Sequence, residues 1–348
     1  MYFSMHLDRR QPAADVDPTA DRYGSGVTTS ATTRPALDDD PRDLPLGLGG
    51  AALAVTAWST GTILAKWLDM GSMAIGVYRF ATFFVLLLIW MRMRRIPVTM
   101  HMIRASAWGG VALGLDIVFF FTAVKETSIV NATIIGSLQP ILVGVIAWRF
   151  FGERIRPSDA GYAAVALVGA FVVVRTGTDD SVTSWQGDLL ALCAMFAWSG
   201  YFIASRRAKG VISPQEFTAG TSFWTALICL PVGLAVGQDM SWPTAENWFW
   251  LGVMIATSGV IGHTLMNWSL QRIPLWVGST FTLFIPVGSA VLAWLFLDEA
   301  ISIAQALAMV AVIAALAMIV RGQTGPTPAE VPPAASGTAN TAATTDAP

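Results

Sequence analysis

Ten long apolar runs constrain the fold of this chain more than any other feature of its sequence. Each run holds about twenty residues, the length that a helix needs to cross the hydrocarbon core of a bilayer. Charged residues are nearly confined to the connectors and to the two ends of the chain. The runs cover residues 46–65, 73–91, 105–124, 128–149, 158–175, 187–205, 214–237, 246–268, 275–297 and 302–320.

The composition and the residue order within the runs indicate membrane-spanning helices. Apolar residues make up 54% of the chain and charged residues 13%, whereas roughly a quarter of the residues of a soluble protein are charged. Stretches such as AALAVTAW (51–58) do not alternate between apolar and polar residues, as the strands of an outer-membrane barrel do. We therefore predict an all-α, polytopic membrane protein whose ten transmembrane helices contact the lipid bilayer.

The basic residues outside the runs predict the orientation of the chain. Seventeen Lys and Arg residues lie in the two ends and the even-numbered connectors, and three lie in the odd-numbered connectors, namely Lys66, Lys125 and Arg175. Connectors rich in Lys and Arg stay in the cytoplasm. We expect both termini to be cytoplasmic and the membrane to be a plasma (inner) membrane of the bacterial type.

Two stretches that lie 146 residues apart share one pattern. Residues 138–153 read LQPILVGVIAWRFFGE and residues 284–299 read FIPVGSAVLAWLFLDE, so proline, tryptophan and glutamate recur at equal spacing. The openings of the two halves also match, since AWSTGTILAK (57–66) resembles AWSGYFIASR (197–206). The first pair of stretches is five spans apart, and an odd number of spans inverts a segment. We therefore predict two inverted five-helix repeats, an arrangement typical of secondary transporters.

The predicted domain organisation follows from these boundaries. Residues 45–176 hold the first repeat with helices 1 to 5, and residues 186–321 hold the second with helices 6 to 10. Residues 1–44 and 322–348 are polar or Pro/Ala/Thr-rich. Segments that bury little apolar surface do not repay the entropy of ordering, so we expect both ends to be disordered cytoplasmic tails.

Taken together, these motifs resemble the EamA-type family of the drug/metabolite transporter superfamily. The resemblance depends on Trp-Ser in the first helix of each half, on Tyr-Arg-Phe (78–80), and on the recurring proline and glutamate; it covers about residues 45–321. It implies a ten-helix fold with a central cavity and secondary active transport of small polar or amphipathic metabolites or drugs, often as export. The corresponding stretch of the second half, FTAGTSFWTAL (217–227), is uncharged, so no symmetric role of Arg79 is implied.

Polar and aromatic side chains within the predicted spans are candidates for the substrate pathway. An ionisable side chain inside a membrane is costly and is a functional candidate by default, and aromatic walls suit amphipathic or cationic ligands. The alternative for each residue is packing or hydrogen bonding between helices, and for Arg79 also a side chain that reaches the membrane surface. The candidates are Trp58, Arg79, Asp116, Asn131, Trp198, Tyr201, His263 and Asn267.

Asp116 and His263 occupy similar positions in the third and eighth spans. His263 is one residue from the position that parallels Asp116 under the offset of 146 residues. A carboxylate and a histidine that face one cavity can bind and release a proton, so proton-coupled exchange is one hypothesis. The other is that Asp116 bonds to neighbouring helices and that His263 is a packing residue.

Pro140 and Pro286 lie early in their apolar runs. A proline frees a carbonyl group and favours a bend, which predicts either a hinge beside the pathway or a static kink. Glu153 and Glu299 follow the same runs. We expect these two glutamates at the membrane surface, as anchors or in ion pairs with the connectors.

Several other functions lack their motifs in this sequence. There is no Gly-Lys-Ser/Thr phosphate-binding loop, no HExxH and no GxSxG, and the two cysteines, Cys193 and Cys229, are not spaced as metal ligands. We therefore expect a small-molecule solute as substrate, with no enzyme activity, cofactor, metal or nucleic-acid partner. The alternatives are an integral-membrane enzyme acting on a lipid-type substrate and a non-transporting scaffold. The sequence is also compatible with a homodimer.

Overall fold

The computed structural model describes residues 42–176 and 184–324, and every regular element in these residues is a helix. The helices form ten segments that are long and apolar enough to cross a membrane, which confirms the predicted all-α polytopic fold. Spans 1 to 10 are Asp43–Trp67, Ser72–Met93, Ala107–Glu126, Asn131–Phe151, Pro157–Thr176, Trp185–Arg207, Pro214–Ala235, Ala245–Leu270, Leu275–Leu297 and Ile303–Thr324. A short helix, Met100–Ala105, precedes span 3.

Nearly all of both predicted tails lies outside the described residues. Span 1 begins at Asp43, and span 10 continues to Thr324. Residues 322–324, which we assigned to the C-terminal tail, therefore belong to the last helix.

Polar residues in the connectors define where several spans begin. At span 7, the Ser213 hydroxyl accepts the N–H of Glu216, and the Glu216 carboxylate accepts the N–H of Ser213. Ser184 and Thr244 each cap the first turn of a span with a side-chain oxygen, at spans 6 and 8 respectively. Such caps satisfy amide groups that have no partner within the helix, so they favour a helix start at these positions.

Four spans depart from a regular α-helix in their interior. The departures are a break at Thr60 in span 1, a break at residues 137–138 in span 4, the π-helix Ile255–Thr264 in span 8 and the 3-10 turn Thr282–Phe284 in span 9. The flanking helices are Asp43–Ser59 and Gly61–Trp67, Ile129–Gly136 and Gln139–Phe151, Ala245–Met254 and Leu265–Leu270, and Leu275–Phe281 and Ile285–Leu297. Irregular backbone at membrane depth is tolerated where it is buried in protein or lines a polar cavity.

Pro140 and Pro286 lie in the first turn of the helices that follow two of these breaks. A proline in the first turn of a helix removes no intrahelical hydrogen bond, because the N–H at that position has no acceptor. The two prolines therefore begin new helices in spans 4 and 9 and do not bend a continuous one. Whether each break is also a hinge stays a prediction.

The most extensive helix contacts join a span of the first half to a span of the second half. Span 3 packs along span 6, span 5 along span 10, span 2 along span 7, and span 1 along span 8. Small residues allow these close approaches. A Cβ at Gly233 in span 7 would meet Met73 of span 2 at 2.9 Å, and one at Gly169 in span 5 would meet Val312 of span 10 at 2.6 Å. Close packing of this kind drives helix association in a bilayer, where apolar surface alone gives no preference.

The outer surface of the bundle is apolar. The repeated tryptophans, Trp148 and Trp294, are both exposed on this surface, as are Phe150 and Phe296 two residues further along each span. The matched tryptophans of spans 4 and 9 therefore face the bilayer, whereas Trp58 and Trp198 are directed into the bundle, where they pack in the main hydrophobic core.

Candidate transport site

Aromatic side chains from three spans meet inside the bundle. The ring of Trp58 in span 1 lies 5.2 Å from that of Trp198 in span 6 and 5.2 Å from that of His263 in span 8, as measured between centroids. The Trp198 and Tyr201 rings are stacked at 5.3 Å. We call Trp58, Trp198, Tyr201 and His263 the aromatic cluster. It brings together four of the eight residues that the sequence singled out for the pathway.

Hydrogen bonds fix the members of the aromatic cluster to one another and to span 8. The indole N–H of Trp58 donates to the carbonyl oxygen of Ser258, at 3.2 Å. The hydroxyl of Tyr201 lies 3.2 Å from Nδ1 of His263, and both side chains are buried. Buried polar groups of this kind need partners, and these pairs hold the rings in place.

The π-helix of span 8 accommodates the Trp58 ring. Gly262 lies against it, and a Cβ at this position would approach Trp58 Cδ1 and Nε1 at 2.5 Å. In residues 255–264, the wider π-helix and the lack of a side chain at Gly262 both make room for the Trp58 indole. A π-helical segment is rare and often marks a functional site. The π-helix was not predicted from the sequence, where the only local signal for it is the pair of glycines in SGVIGH (258–263).

Asn267 lies one turn beyond His263 and extends the aromatic cluster toward span 7. Its Nδ2 donates to the Thr218 hydroxyl at 3.0 Å, and it lies next to the Tyr201 hydroxyl. The carbonyl oxygen Oδ1 is buried and has no hydrogen-bond partner among the described residues. Asn267 thus joins span 8 to span 7 through its Nδ2, while its Oδ1 remains available as a hydrogen-bond acceptor.

Arg79 of span 2 lies beside the aromatic cluster, and no carboxylate of the described residues pairs with it. Its guanidinium carbon is 4.8 Å from the centroid of the Phe80 ring, and the Phe80 ring lies 5.6 Å from the imidazole of His263. The Nε atom is buried, and no hydrogen bond to it is found in residues 42–176 and 184–324. None of the ion pairs in these residues includes Arg79. The arrangement holds a cationic donor that is able to bind an anionic group.

No hydrogen bond or ring contact among the described residues joins Asp116 or Asn131 to the aromatic cluster. Asp116 is the tenth residue of the twenty-residue span 3, and so lies near the middle of that span. In the described part of the chain no hydrogen bond, ion pair or ring contact joins Asp116 to His263. Asn131 is in the first turn of span 4, where its backbone N–H donates to the Ser128 hydroxyl at 3.1 Å. Equal depth along two helices has therefore not brought Asp116 and His263 into contact.

Polar side chains also surround the broken parts of spans 1, 4 and 9. The Ser59 hydroxyl donates to the carbonyl oxygen of Ile285 at 3.3 Å, and the Ser289 hydroxyl donates to the carbonyl oxygen of Ser59 at 3.2 Å. The Thr282 hydroxyl donates to Oε1 of Gln139 at 3.2 Å, and Nε2 of Gln139 is buried with no partner in the described residues. The sequence analysis did not identify these groups, although Ser59 follows Trp58 in the repeated AWS motif.

Glu153 and Glu299 both form ion pairs at the ends of spans, as we expected. Glu153 pairs with Arg206 at 3.6 Å, and Glu299 pairs with Lys66 at 2.9 Å. No group of three or more His, Cys, Asp or Glu side chains suited to a metal ion occurs in residues 42–176 and 184–324.

Comparison with known proteins gives relatives along most of the chain. The threonine/homoserine exporter RhtA of Escherichia coli (strain K12) is 27% identical over 284 residues, which cover 79% of this chain and 92% of the exporter. RhtA of Salmonella typhimurium (strain LT2) is 26% identical over 281 residues, with the same coverage. The aromatic amino acid exporter YddG of Ancylobacter novellus is 28% identical over 155 residues, 44% of this chain and 52% of that protein.

A solved crystal structure shares the fold. It superimposes with a TM-score of 0.69 at 20% sequence identity, and the alignment covers 80% of this chain and 97% of the other. The model of the EamA-like transporter family matches the chain twice, at residues 45–175 and 185–321. Ten apolar spans, the shared fold and this double match lead to one conclusion: the chain belongs to the EamA-like transporter family and is a multi-pass integral membrane protein.

Proposed function

We propose that this protein exports small zwitterionic or amphipathic solutes of the amino-acid type by alternating access. Membership of a transporter family and the likeness to exporters of threonine, homoserine and aromatic amino acids support this function. The relatives named above are exporters, so neither a lipid-directed enzyme nor a scaffold is favoured.

The observation that carries the proposal is Arg79, which forms no ion pair in the described residues and whose buried Nε has no hydrogen-bond partner there. A guanidinium within a membrane span and without a carboxylate partner is unfavourable unless a ligand, water or a rearrangement satisfies it. An arginine binds a carboxylate through two parallel hydrogen bonds, and Nε is one of the atoms that take part in such pairs. The carboxylate of an amino acid fits this requirement, because it brings the charge that the described residues do not supply.

The aromatic cluster would bind the remainder of the solute. The faces of Trp58 and Trp198 attract an ammonium group through cation–π contacts and accept apolar side chains by burial of surface. Oδ1 of Asn267, buried and without a partner, adds a hydrogen-bond acceptor within the same region. A site with one arginine, one acceptor and aromatic walls suits a zwitterion with an apolar or hydroxylated side chain.

Alternating access would arise from two inverted five-span halves. The helix pairs 3–6 and 1–8 exchange when spans 1 to 5 are interchanged with spans 6 to 10, and the pairs 2–7 and 5–10 map onto themselves. This pattern supports a pseudo-twofold relationship, as do the two family-model matches. The basic residues of the connectors support cytoplasmic termini in a bacterial plasma membrane.

Proton coupling is a further part of the proposal and would depend on Asp116. A carboxyl group at the middle of a span is costly when charged, so a change in its surroundings during transport would favour binding or release of a proton. Because no contact among the described residues joins Asp116 to His263, and His263 contacts Tyr201 and Trp58, we assign the proton to Asp116 alone, with His263 as a positioning residue for Tyr201 and Trp58.

Reconstituted liposomes test the role of Arg79. We expect Arg79→Ala to lower efflux of a transported amino acid at least tenfold and to leave little binding of its carboxylate. Arg79→Lys should retain part of the flux with a raised KM, because lysine keeps the charge but not the paired hydrogen bonds. Arg92→Ala is the matched control, since Arg92 is exposed in the same span. Unchanged KM and flux in Arg79→Ala would overturn the assignment.

A further inference from the structure

Two ion pairs join the ends of spans at opposite faces of the membrane. Successive spans run in opposite directions, so the odd spans all begin at one face, the entry face, and end at the other, the far face. Arg206 ends span 6 and Glu153 follows span 4, which places their ion pair at the entry face. Lys66 lies near the end of span 1 and Glu299 follows span 9, which places theirs at the far face.

The two ion pairs are equivalent in the sequence. Lys66 and Arg206 are the last residues of the matched stretches AWSTGTILAK and AWSGYFIASR. Glu153 and Glu299 are the last residues of the matched stretches in spans 4 and 9. In each pair, the first helix of one half is thus joined to the fourth helix of the other half.

The ion pair at the entry face is largely buried and is reinforced by further hydrogen bonds. The Glu153 side chain is 10% exposed, and its oxygens accept the backbone N–H groups of Leu275 at 2.8 Å and Trp276 at 3.2 Å. Arg206 also donates to the carbonyl oxygens of Leu270 at 2.9 Å and Ile273 at 3.2 Å. This network fastens the end of span 4 to the first turn of span 9.

The ion pair at the far face lacks these additions. The Lys66 and Glu299 side chains are 60% and 49% exposed, so their attraction is screened by solvent. The positions that parallel Leu275 and Trp276 under the offset of 146 residues are 129 and 130, in the first turn of span 4. In the described residues Glu299 accepts no backbone N–H, and the Ser128 hydroxyl caps this turn.

We propose that Glu153 and Glu299 are reciprocal latches, each of which closes when its carboxylate accepts two backbone N–H groups in addition to its ion pair. The structure shows the entry face latched and the far face, where only the ion pair forms, released. In the opposite state, the carboxylate of Glu299 accepts the N–H groups of residues 129 and 130, while Glu153 releases those of Leu275 and Trp276. This inference rests on the proposed alternating access. Each latch then stabilises one state only, which is what a shift between two populations requires.

Two other polar contacts at span ends do not have this character. Asp43 pairs with Arg272 at 3.1 Å, and the Thr127 hydroxyl donates to Asp188 at 2.8 Å. These contacts lie at the ends of the span pairs 1–8 and 3–6, which pack along their length. Separating them would cost the packing of a whole helix pair, so they belong to units that move together.

Spin-label distances test the latches in reconstituted full-length protein without any substrate. Labels at Arg154→Cys and Arg207→Cys report on the entry face, and labels at Asp69→Cys and Ala300→Cys report on the far face. All four positions are exposed, and Cys193 and Cys229 are replaced by alanine in every protein. We expect Glu153→Gln to lengthen the entry-face distance and shorten the far-face distance. The matched variant Glu299→Gln should leave the entry face closed.

The outcomes separate this inference from the proposed function. Unchanged distances in Glu153→Gln, or an opening of the entry face in Glu299→Gln, would overturn the latches whether or not the protein transports amino acids. If Glu153→Gln does not yield monodisperse protein, Arg206→Met removes the other partner and should change the distances in the same direction. Exchanging the two charges gives a second check. Lys66→Glu with Glu299→Lys keeps an ion pair at the far face, but a lysine at position 299 cannot accept N–H groups. We expect this double variant to remain latched at the entry face. If its far face closed normally, the proposal that Glu299 must accept the N–H groups of residues 129 and 130 would be contradicted.

Discussion

The hydroxyl of Tyr201 in span 6 lies 3.2 Å from Nδ1 of His263 in span 8, inside an enclosure of aromatic rings. The Trp58 ring lies at 5.2 Å and the Phe80 ring at 5.6 Å from the imidazole, so spans 1 and 2 close around the same pair. One hydrogen bond thus connects the helices that carry most of the candidate site. Removing it tests how far the site depends on fixed side chains.

Tyr201→Phe should destabilise the protein and weaken transport. The substitution leaves Nδ1 of His263 buried without its partner, a change that costs about 1–3 kcal/mol. Thermal unfolding in nanodiscs measures the loss, and the KM for efflux shows whether the ring positions shifted. Tyr162→Phe serves as the control, because the Tyr162 hydroxyl makes no hydrogen bond in the described residues. Equal melting temperatures for the two variants would contradict this role of Tyr201.

Gly262→Ala should disturb the site through the Trp58 ring. A methyl group at this position would lie 2.5 Å from the indole, so the ring must move or the π-helix must rewind. Overpacking of this kind costs about 1–3 kcal/mol. Gly252→Ala in the same span is the matched control, since a methyl group there meets nothing within 4 Å. Tryptophan fluorescence and melting temperature measure the effect, and a Gly262→Ala protein that behaves like Gly252→Ala would show that the contact is not a constraint.

Asp116→Asn should uncouple transport from a proton gradient. The amide cannot take up and release a proton, so accumulation driven by a pH gradient should fall to the level of empty liposomes. Exchange of labelled for unlabelled solute in the absence of a gradient should persist. Asp239→Asn, in the exposed connector after span 7, should retain both activities. A gradient-driven flux that survives in Asp116→Asn would exclude Asp116 as the coupling group.

Pro140→Ala and Pro286→Ala should slow the exchange between states. Alanine restores an N–H and permits a continuous helix across the breaks in spans 4 and 9, which makes each span stiffer. The turnover of solute exchange should fall with little change in KM, since neither proline touches the aromatic cluster in the described contacts. Pro97→Ala, in the connector after span 2, is the control. Turnover equal to that of the control would show that the breaks in spans 4 and 9 are static and do not act as hinges.

Much of the fold could be predicted because the bilayer imposes a simple rule on the sequence. Every span needs about twenty apolar residues, so the apolar composition of the sequence marks the ten spans and their ends near Trp67, Phe151 and Leu297. The ion pairs of Glu153 and Glu299 were expected for a related reason. A glutamate just beyond an apolar run lies at the membrane surface, within reach of the basic residues of the connectors.

The irregular parts of the spans could not be predicted from the same rule. The π-helix at residues 255–264 depends on the fit of Gly262 against Trp58, a contact between residues distant in sequence. Apolar spans also carry little periodicity, because the faces toward lipid and toward protein are both apolar. The offset of 146 residues placed Asp116 near the depth of His263, but each residue turns a helix by about 100°, so depth alone does not predict the facing partner.

The most direct test of the whole account is the sidedness of two connectors. In protein with alanine at positions 193 and 229, Lys125→Cys and Arg272→Cys are exposed in turn to a membrane-impermeant thiol reagent on intact cells. Two inverted halves of five spans would place the connector after span 3 and the connector after span 8 on opposite sides of the membrane. We predict labelling of position 125 from outside and of position 272 only after the cells are opened. Labelling of both positions from the same side would contradict the inverted arrangement, and with it the alternating access that the site and the latches require.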